Sequence, residues 1–160
     1  MSVNNPIVEQ IRRKREENGI KLIEFISRIS NRHFGIGGDG MIVILKSDQY
    51  DFKMRMFNLD GSEGMMCGNG IRCFAKFCYD HHLTDKKVLN IETKAGLRIV
   101  ELIFDGDEVV GAKVDMQEPI LNCKDIPVIF DQEKMINEKV MIGDQEYALT
   151  AVSMGNPHVI

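Results

Sequence analysis

No apolar run in the sequence approaches the roughly 18 residues that a membrane-spanning helix needs. The N-terminal stretch also lacks the apolar segment that secretory signal peptides contain; it runs MSVNNPIVEQIRRKREENG. These two absences predict a cytoplasmic protein that does not contact a membrane.

Clustered basic residues and paired metal ligands are missing as well. The formal net charge is -4 and no basic block occurs, so the sequence predicts no nucleic-acid partner. Structural zinc sites use two closely spaced pairs of ligands, a pattern that the four cysteines do not form. Without a secretion signal, we expect free thiols in a reducing compartment and no bound metal. The cysteines are Cys67, Cys73, Cys78 and Cys123.

Hydrophobic residues make up 44% and charged residues 28% of the 160 residues, which is typical of a soluble globular protein with one domain. Apolar residues at helical spacing predict helices within residues 7–31, with a break at Asn18-Gly19. A further helix is predicted to begin at residue 68. Its buried stripe consists of Ile71, Phe74, Ala75 and Cys78.

Short apolar or alternating runs predict strands over most of the remaining chain. In the run 51–58, Phe52, Met54 and Met56 are expected on one face, opposite Phe57. One main helix among many strands predicts an α+β fold in which a curved mixed sheet wraps around that helix. Strands are predicted at residues 41–46, 51–58, 88–93, 97–104, 109–116, 128–130, 139–142 and 146–153.

The glycines at positions 35, 37 and 40 match the spelling G-x-G-x-x-G of dinucleotide-binding loops. That motif follows a strand and opens a helix, whereas this one follows a predicted helix and precedes a predicted strand. We therefore interpret it as a backbone turn in which several residues need positive φ.

Cys67 directly precedes Gly68-Asn69-Gly70 at the predicted helix start. Free backbone N–H groups and the positive end of the helix dipole at such a position favour a thiolate and bind carboxylates. A thiolate beside a carboxylate anchor is what abstraction of an α-proton from an amino acid requires. The alternative is an inert, buried cysteine. We expect this inert core role for Cys73 and Cys78, which lie inside the helix.

Three polar residues near predicted strand ends have two possible roles each. Asn58 and Asn156 could contact an ammonium or carboxylate group, or simply form turns. His158 could assist a proton transfer, or be an ordinary strand residue.

Four segments together resemble diaminopimelate epimerases. They are NRHFGIGGDG at residues 31–40, FNLDGSE at 57–63, MCGNGIRCFA at 66–75 and SMGNPH at 153–158. The resemblance implies one half of a pseudo-symmetric fold, in which two such halves enclose the active site. It also implies epimerisation of LL-diaminopimelate to the meso form by two thiols, without pyridoxal phosphate or metal.

The resemblance further assigns roles to residues of this chain. Cys67 would be one of the two catalytic thiols, and His158 would support the catalytic pair. The substrate, a small amino acid, would be bound by Asn58, Gly68, Asn69 and Asn156.

Three departures from the family pattern stand out. The Gly-x-Gly-Asn-Asp-Phe loop that usually precedes these motifs is missing before residue 31, and the second Ala-Cys-Gly motif is also missing. Gly40 stands where many relatives have a substrate-contacting glutamine. We therefore expect residues 1–30 to be a divergent helical segment and residues 31–160 an N-terminal epimerase domain without its C-terminal partner.

The leading hypothesis is an N-terminal epimerase half that has little activity alone. One alternative is a racemase of another amino acid on the same fold. Another is a non-catalytic module that assembles with a separate C-terminal half. A homodimer is a further possible assembly.

Overall fold

The computed structural model describes residues 13–160. Part of the predicted helical region, residues 7–12, lies outside the described residues. Residues 13–17 are helical and a second helix, α1, spans Leu22–Ser30. A turn at residues 18–19 separates them, with Gly19 at a φ of 64°. The predicted break at Asn18-Gly19 is therefore confirmed.

The chain divides into two compact units, one ending at Asp115 and the other spanning Met116–Ile160. After α1, the first unit contains one long helix and six strands of a single sheet. In chain order they are β1 (Gly40–Leu45), β2 (Phe52–Asn58), β3 (Glu63–Gly64), α2 (Gly68–Asp80), β4 (Val88–Thr93), β5 (Gly96–Asp105) and β6 (Glu108–Asp115).

The sheet of the first unit has the order β1-β2-β4-β5-β6. The pairing of β2 with β4 is parallel and the others are antiparallel, so the sheet is mixed as predicted. The start of β2 pairs with β4, at Phe52 and Lys53, and its end pairs with β3, at Met56 and Phe57. The sequence predicted all of these strands except β3.

One face of α2 is buried, and its members are those that the apolar stripe predicted. The helix contacts β1 at one edge of the sheet and both β5 and β6 at the other. A single helix can reach both edges only if the sheet curls around it. The ammonium group of Lys76 also links α2 to β6, because it donates to the carbonyl oxygen of Val109 at 2.7 Å. The α+β prediction is confirmed.

Phe57 is buried although it lies on the face of β2 opposite Phe52 and Met54. Its ring shares a strand face with Arg55, whose guanidinium lies 4.9 Å from the ring centroid, yet only 3% of Phe57 is exposed. Met56, which shares the other face with Phe52 and Met54, is only half-buried. The end of β2 is therefore covered on both faces, and simple alternation does not describe such a strand.

The second unit contains a short 3-10 helix at Cys123–Asp125 and two hairpins. One hairpin joins β7 (Glu138–Ile142) to β8 (Gln145–Leu149), and the other joins β9 (Ala151–Ser153) to β10 (Pro157–Val159).

Two strand predictions in the second unit need correction. Residues 128–130 are not a strand, because the amide of Val128 donates to Ile126 within a turn and Ile129 is fully exposed. The predicted strand 146–153 is two strands, because Thr150 exchanges hydrogen bonds with Ile160 and the chain changes its pairing partner there. Within residues 13–160, no helix is long and apolar enough to span a membrane.

The packing of α2 yields a stability prediction. Phe74 is 2% exposed and meets Phe52 edge-to-face, with ring centroids 6.1 Å apart. We expect Phe74→Ala to lower the free energy of unfolding by about 3–5 kcal/mol, because it leaves a cavity in the core. Phe77 on the same helix is 47% exposed, so Phe77→Ala should cost about 1 kcal/mol. Urea denaturation measures both, and equal losses would contradict the packing described here.

Candidate active site

Cys67 is the N-terminal capping residue of α2. Its backbone is extended, with φ -135° and ψ 112°, and its Sγ atom accepts a hydrogen bond from the amide of Gly70 at 3.3 Å. The side chain is half-buried, so the thiol is held by the helix and still open to solvent. This differs from the inert, buried alternative that the sequence left open.

Two backbone amides beside this thiol are available to a ligand. The first-turn amides of a helix have no intrahelical acceptor. Cys67 Sγ accepts from that of Gly70, and the regular helical bonds begin with the Ile71 amide, which donates to the Cys67 carbonyl oxygen at 2.9 Å. Among residues 13–160, the amides of Gly68 and Asn69 donate to no acceptor. An anion placed there would meet two N–H groups at the positive end of the helix dipole.

Gly70 allows the helix to approach Cys67 closely. A Cβ atom built on Gly70 would lie 3.3 Å from Cys67 Sγ and 2.8 Å from Cδ1 of Ile42 in β1. The first turn of α2 therefore packs on β1 at Ile42, with no space for a side chain. This contact shows why glycine stands at this position, which the sequence motif did not explain.

Arg72 is a residue of the site that sequence reasoning missed. Its guanidinium donates to the side-chain oxygen of Asn69 and, through Nε, to the carbonyl oxygen of Gly68 at 3.2 Å. The Asn69 side chain is thus held against its own helix, and a positive charge lies over the first turn. The spacing of three and four residues was the available signal.

The other three cysteines differ in exposure. Cys73 is exposed, so its predicted core role is wrong. It follows Ile71 by two residues, about 200° around the helix from the buried face. Cys78 is fully buried, and burial raises the pKa of its thiol to about 12. Cys123 is buried in the second unit.

Asn58 ends β2 and begins a tight polar turn. Its amide nitrogen Nδ2 donates to Ser62 Oγ at 3.0 Å, and its backbone amide donates to the Ser62 carbonyl oxygen at 2.8 Å. Asp60 accepts from both the hydroxyl and the backbone amide of Ser62, and these two hydrogen bonds hold the pKa of Asp60 below its ordinary value. The turn therefore presents an ionised carboxylate beside Asn58.

The same turn borders a cavity of about 680 Å³ in the first unit. Sequence reasoning did not single out its charged members, Arg32, Asp39 and Asp60. The lining residues come from α1, the Gly-rich turn and the end of β2, and they are Ser27, Asn31, Arg32, His33, Asp39, Asn58, Leu59 and Asp60.

The Gly-rich turn joins α1 to β1, as its predicted context requires. Its amides cover the end of α1: those of Ile36 and Gly37 donate to the Ile29 carbonyl oxygen, at 2.8 and 3.1 Å. Gly37 has a φ of 84° and Gly40 a φ of 153°. The interpretation as a turn with positive φ is confirmed.

Asn156 and His158 belong to the second unit. Asn156 is half-buried in the loop between β9 and β10, and its carbonyl oxygen accepts from the Met154 amide at 3.2 Å. His158 is exposed in β10, where its register partner is Val152. The structure thus places Cys67, Gly68 and Asn69 at one helix start, and Asn58 at the end of β2 in the same unit.

Within the described residues 13–160, no three His, Cys, Asp or Glu side chains are arranged to hold a metal ion. The groups that the candidate site does offer are a thiol, two open amides, amide side chains and charges of both signs.

A family model described as diaminopimelate epimerase matches residues 6–121. The chain belongs to the diaminopimelate epimerase family. The matched range contains Asn58 and the Cys67 turn and ends before Asn156 and His158.

Relatives named diaminopimelate epimerase agree with this assignment. One from Methanococcus maripaludis is 54% identical over 84% of this chain and 49% of its own length. Others from Agathobacter rectalis and Acetivibrio thermocellus are 50% and 49% identical, over 82% and 86% of this chain. The match covers 49% of the length of each of these two relatives. The chain therefore spans about half the length of the curated relatives it matches.

The exposure of the four thiols predicts a labelling pattern. With iodoacetamide at about pH 8, we expect Cys67 and Cys73 of the native chain to be alkylated, because both are accessible. Cys78 and Cys123 should react only after denaturation, since both are buried and the Cys78 thiol stays protonated. Peptide mass spectrometry measures each site, and rapid native alkylation of Cys78 would contradict the buried face of α2.

Proposed function

We propose that this chain supplies one half of a diaminopimelate epimerase active site, with Cys67 as one of its two catalytic thiols. The observation that supports this most strongly is the Sγ atom of Cys67 at the start of α2, beside the open amides of Gly68 and Asn69. The names of the relatives supply the substrate, diaminopimelate, and the type of reaction, an epimerisation.

In the proposed mechanism, the Cys67 thiolate takes the α-proton of the amino acid and becomes a thiol. The electron pair stays on the α-carbon and is delocalised into the adjacent carboxylate. The amides of Gly68 and Asn69 stabilise the negative charge that develops there. A second thiol then gives its proton to the opposite face of the carbon. In the reverse direction the two thiols exchange roles.

We propose that the second thiol comes from outside these 160 residues. Cys73 lies on the same helix that Cys67 begins, and Cys78 and Cys123 are buried. None of these three can face Cys67 across a substrate carbon. The relatives are about twice as long as the matched region, and we propose that the corresponding half carries this thiol. Asn58 and Asn156 would contact the substrate, and His158 would support the catalytic pair.

Activity in a fusion tests the proposal. We expect the isolated chain to leave the circular dichroism of LL-diaminopimelate unchanged, because a single thiol can exchange a proton on only one face of the α-carbon. Fused to the part of the Methanococcus maripaludis relative that it does not cover, the chain should epimerise the substrate. Cys67→Ser in the fusion should lower kcat by about 100-fold or more, since the serine hydroxyl is a poor base.

Cys73→Ser is the matched control, because Cys73 is an exposed thiol on the same helix. It should leave kcat within about twofold. An inactive, folded fusion would sink the proposal, as would a Cys67→Ser variant with unchanged turnover. A fusion that inverts proline or another monoamino acid instead would favour the alternative racemase function.

The close approach at Gly70 gives a second prediction. Gly70→Ala places a methyl group 3.3 Å from Cys67 Sγ and 2.8 Å from Ile42, so the thiol must shift. We expect kcat/KM of the fusion to fall by on the order of 10- to 100-fold. Gly111→Ala is the control, because a Cβ there meets only ordinary contacts of 3.6 Å or more. Full activity of Gly70→Ala would show that the position of Sγ tolerates displacement.

A further inference from the structure

Arg98 is a buried positive charge without a charge partner in the described part of the chain. Only 5% of the residue is exposed. Among the described residues, its one hydrogen bond runs from Nη1 to the carbonyl oxygen of Leu97, at 2.8 Å, and its Nε atom is sealed from solvent without an acceptor. A guanidinium stays charged in proteins, and a buried charge is costly unless it is paired. No described contact of Arg98 offsets this cost.

Arg98 lies on the face of the sheet that packs on α2. Residues paired across strands point to the same face. Arg98 of β5 pairs with Ile91 of β4, and Ile91 pairs with Phe52 of β2. Phe52 meets Phe74 of α2 edge-to-face. The register therefore places Arg98 on the inner face of the curled sheet.

The guanidinium points to the end of the sheet at which α2 begins. Because β4 runs parallel to β2 and antiparallel to β5, β5 begins where β2 ends. The first turn of α2 packs on Ile42, which pairs with Met56 near the end of β2. The Arg98 side chain runs back toward the start of β5, since a Cβ atom built on Gly96 would lie 3.9 Å from its Nη1.

Arg98 is nevertheless separate from the Cys67 thiol. The sheet order β1-β2-β4-β5 puts β5 three strands away from β1. With strands about 4.8 Å apart, the path along the sheet is about 14 Å. The helix α2, about 10 Å across, lies between them, because it contacts both β1 and β5. A group bound at Arg98 therefore occupies a different place from an amino acid bound at Cys67.

The unused N–H groups of Arg98 lie along one edge of the guanidinium plane. Nη2, like Nε, donates to no described atom, but it is not among the fully buried unpartnered atoms. Nη2 is therefore the nitrogen that solvent can reach. The parallel N–H bonds of Nε and Nη2 match the two oxygens of a carboxylate. A phosphate would bring further charged oxygens against Ile91 and Val100, the apolar neighbours on this face.

The turn beside the guanidinium is held in shape. Thr93 pairs with Gly96, and its Oγ1 atom donates to the Gly96 carbonyl oxygen at 2.7 Å and accepts from the Ala95 amide at 3.2 Å. Gly96 has a φ of 96°, which strains any residue with a side chain. The guanidinium thus lies over a fixed part of the sheet end, as the positioning of a ligand requires.

We propose that Arg98 is the anchor of a carboxylate-binding site on the inner face of the sheet, at the end where α2 begins. The carboxylate accepts from Nη2 and from the neighbouring Nε, and supplies the missing charge partner. Its two possible sources are an Asp or Glu side chain of the additional half that the relatives contain, and a free carboxylic acid. The inference is independent of the proposed function, because it concerns binding at Arg98 rather than proton transfer at Cys67.

Titration of the isolated chain with sodium acetate tests this site. Because Nε of Arg98 is sealed from solvent, its proton exchanges slowly and its NMR signal is observable. Acetate should shift this signal with a midpoint on the order of 10 mM, whereas sodium chloride at equal ionic strength should not. We expect about 100 mM acetate to raise the melting temperature by about 2–5 °C relative to chloride, because only the folded chain contains the site.

Arg98→Met and Arg55→Met are matched variants. Arg98→Met keeps an apolar stem and removes the unpaired charge, so it should melt no lower than the original chain in chloride and lose the response to acetate. Arg55 donates to both carboxylate oxygens of Glu63, at 2.8 and 3.0 Å. Arg55→Met should therefore lower the melting temperature and keep the response to acetate.

The fusion with the additional half separates the two sources of the carboxylate. If that half supplies it, the Arg98 signal of the fusion already stands at its acetate-bound position, and acetate moves it no further. If a free acid supplies it, the fusion responds to acetate as the isolated chain does.

Three results would overturn the inference. The first is an Arg98 signal that acetate leaves in place, and the second is a stabilisation by acetate that persists in Arg98→Met. The third is a melting temperature of Arg98→Met as low as that of Arg55→Met, which would assign the guanidinium a purely structural role. None of these results depends on turnover, so failure of this inference is distinguishable from failure of the proposed function.

Discussion

Burial of one face of α2 against the curled sheet positions the candidate site. Ile71 is fully buried within the first turn, so the turn that contains the Cys67 cap cannot move independently of the core. At the same place Gly70 brings the helix against Ile42 of β1. Backbone packing, rather than a flexible side chain, therefore fixes the position of the thiol. A reactive group gains from this, because it must be held within about half an ångström of its productive geometry.

The pairing of β1 with β2 fixes where the Asn58 turn lies relative to the Cys67 turn. The register that places Ile42 opposite Met56 also places Gly40 opposite Asn58. The strands thus determine the separation of the Cys67 turn from the Asn58 turn, and Asp60 and Ser62 hold the latter in shape. The two turns are therefore rigidly related without direct contact between their side chains.

The sequence predicted elements whose periodicity reflects burial on one side. The stripe of α2 and the long strands of the first unit are examples. It did not predict the burial of Phe57, because residues distant in sequence cover the second face of β2. It also joined β8 and β9, because a run of strand-forming residues does not reveal that Thr150 changes partner. In each case the missing information is the identity of the neighbouring strand.

For the candidate site too, the sequence predicted the features that depend on neighbouring residues and missed those that depend on residues distant in the chain. A cysteine before Gly-Asn-Gly at a helix start can be recognised locally, since capping depends on a few consecutive residues. The close contact of Gly70 with Ile42 depends on how a helix meets a strand. So does the cavity that brings Arg32 and Asp39 together with Asn58. Such contacts join residues that are distant in the chain, so they follow from the fold rather than from the local motif.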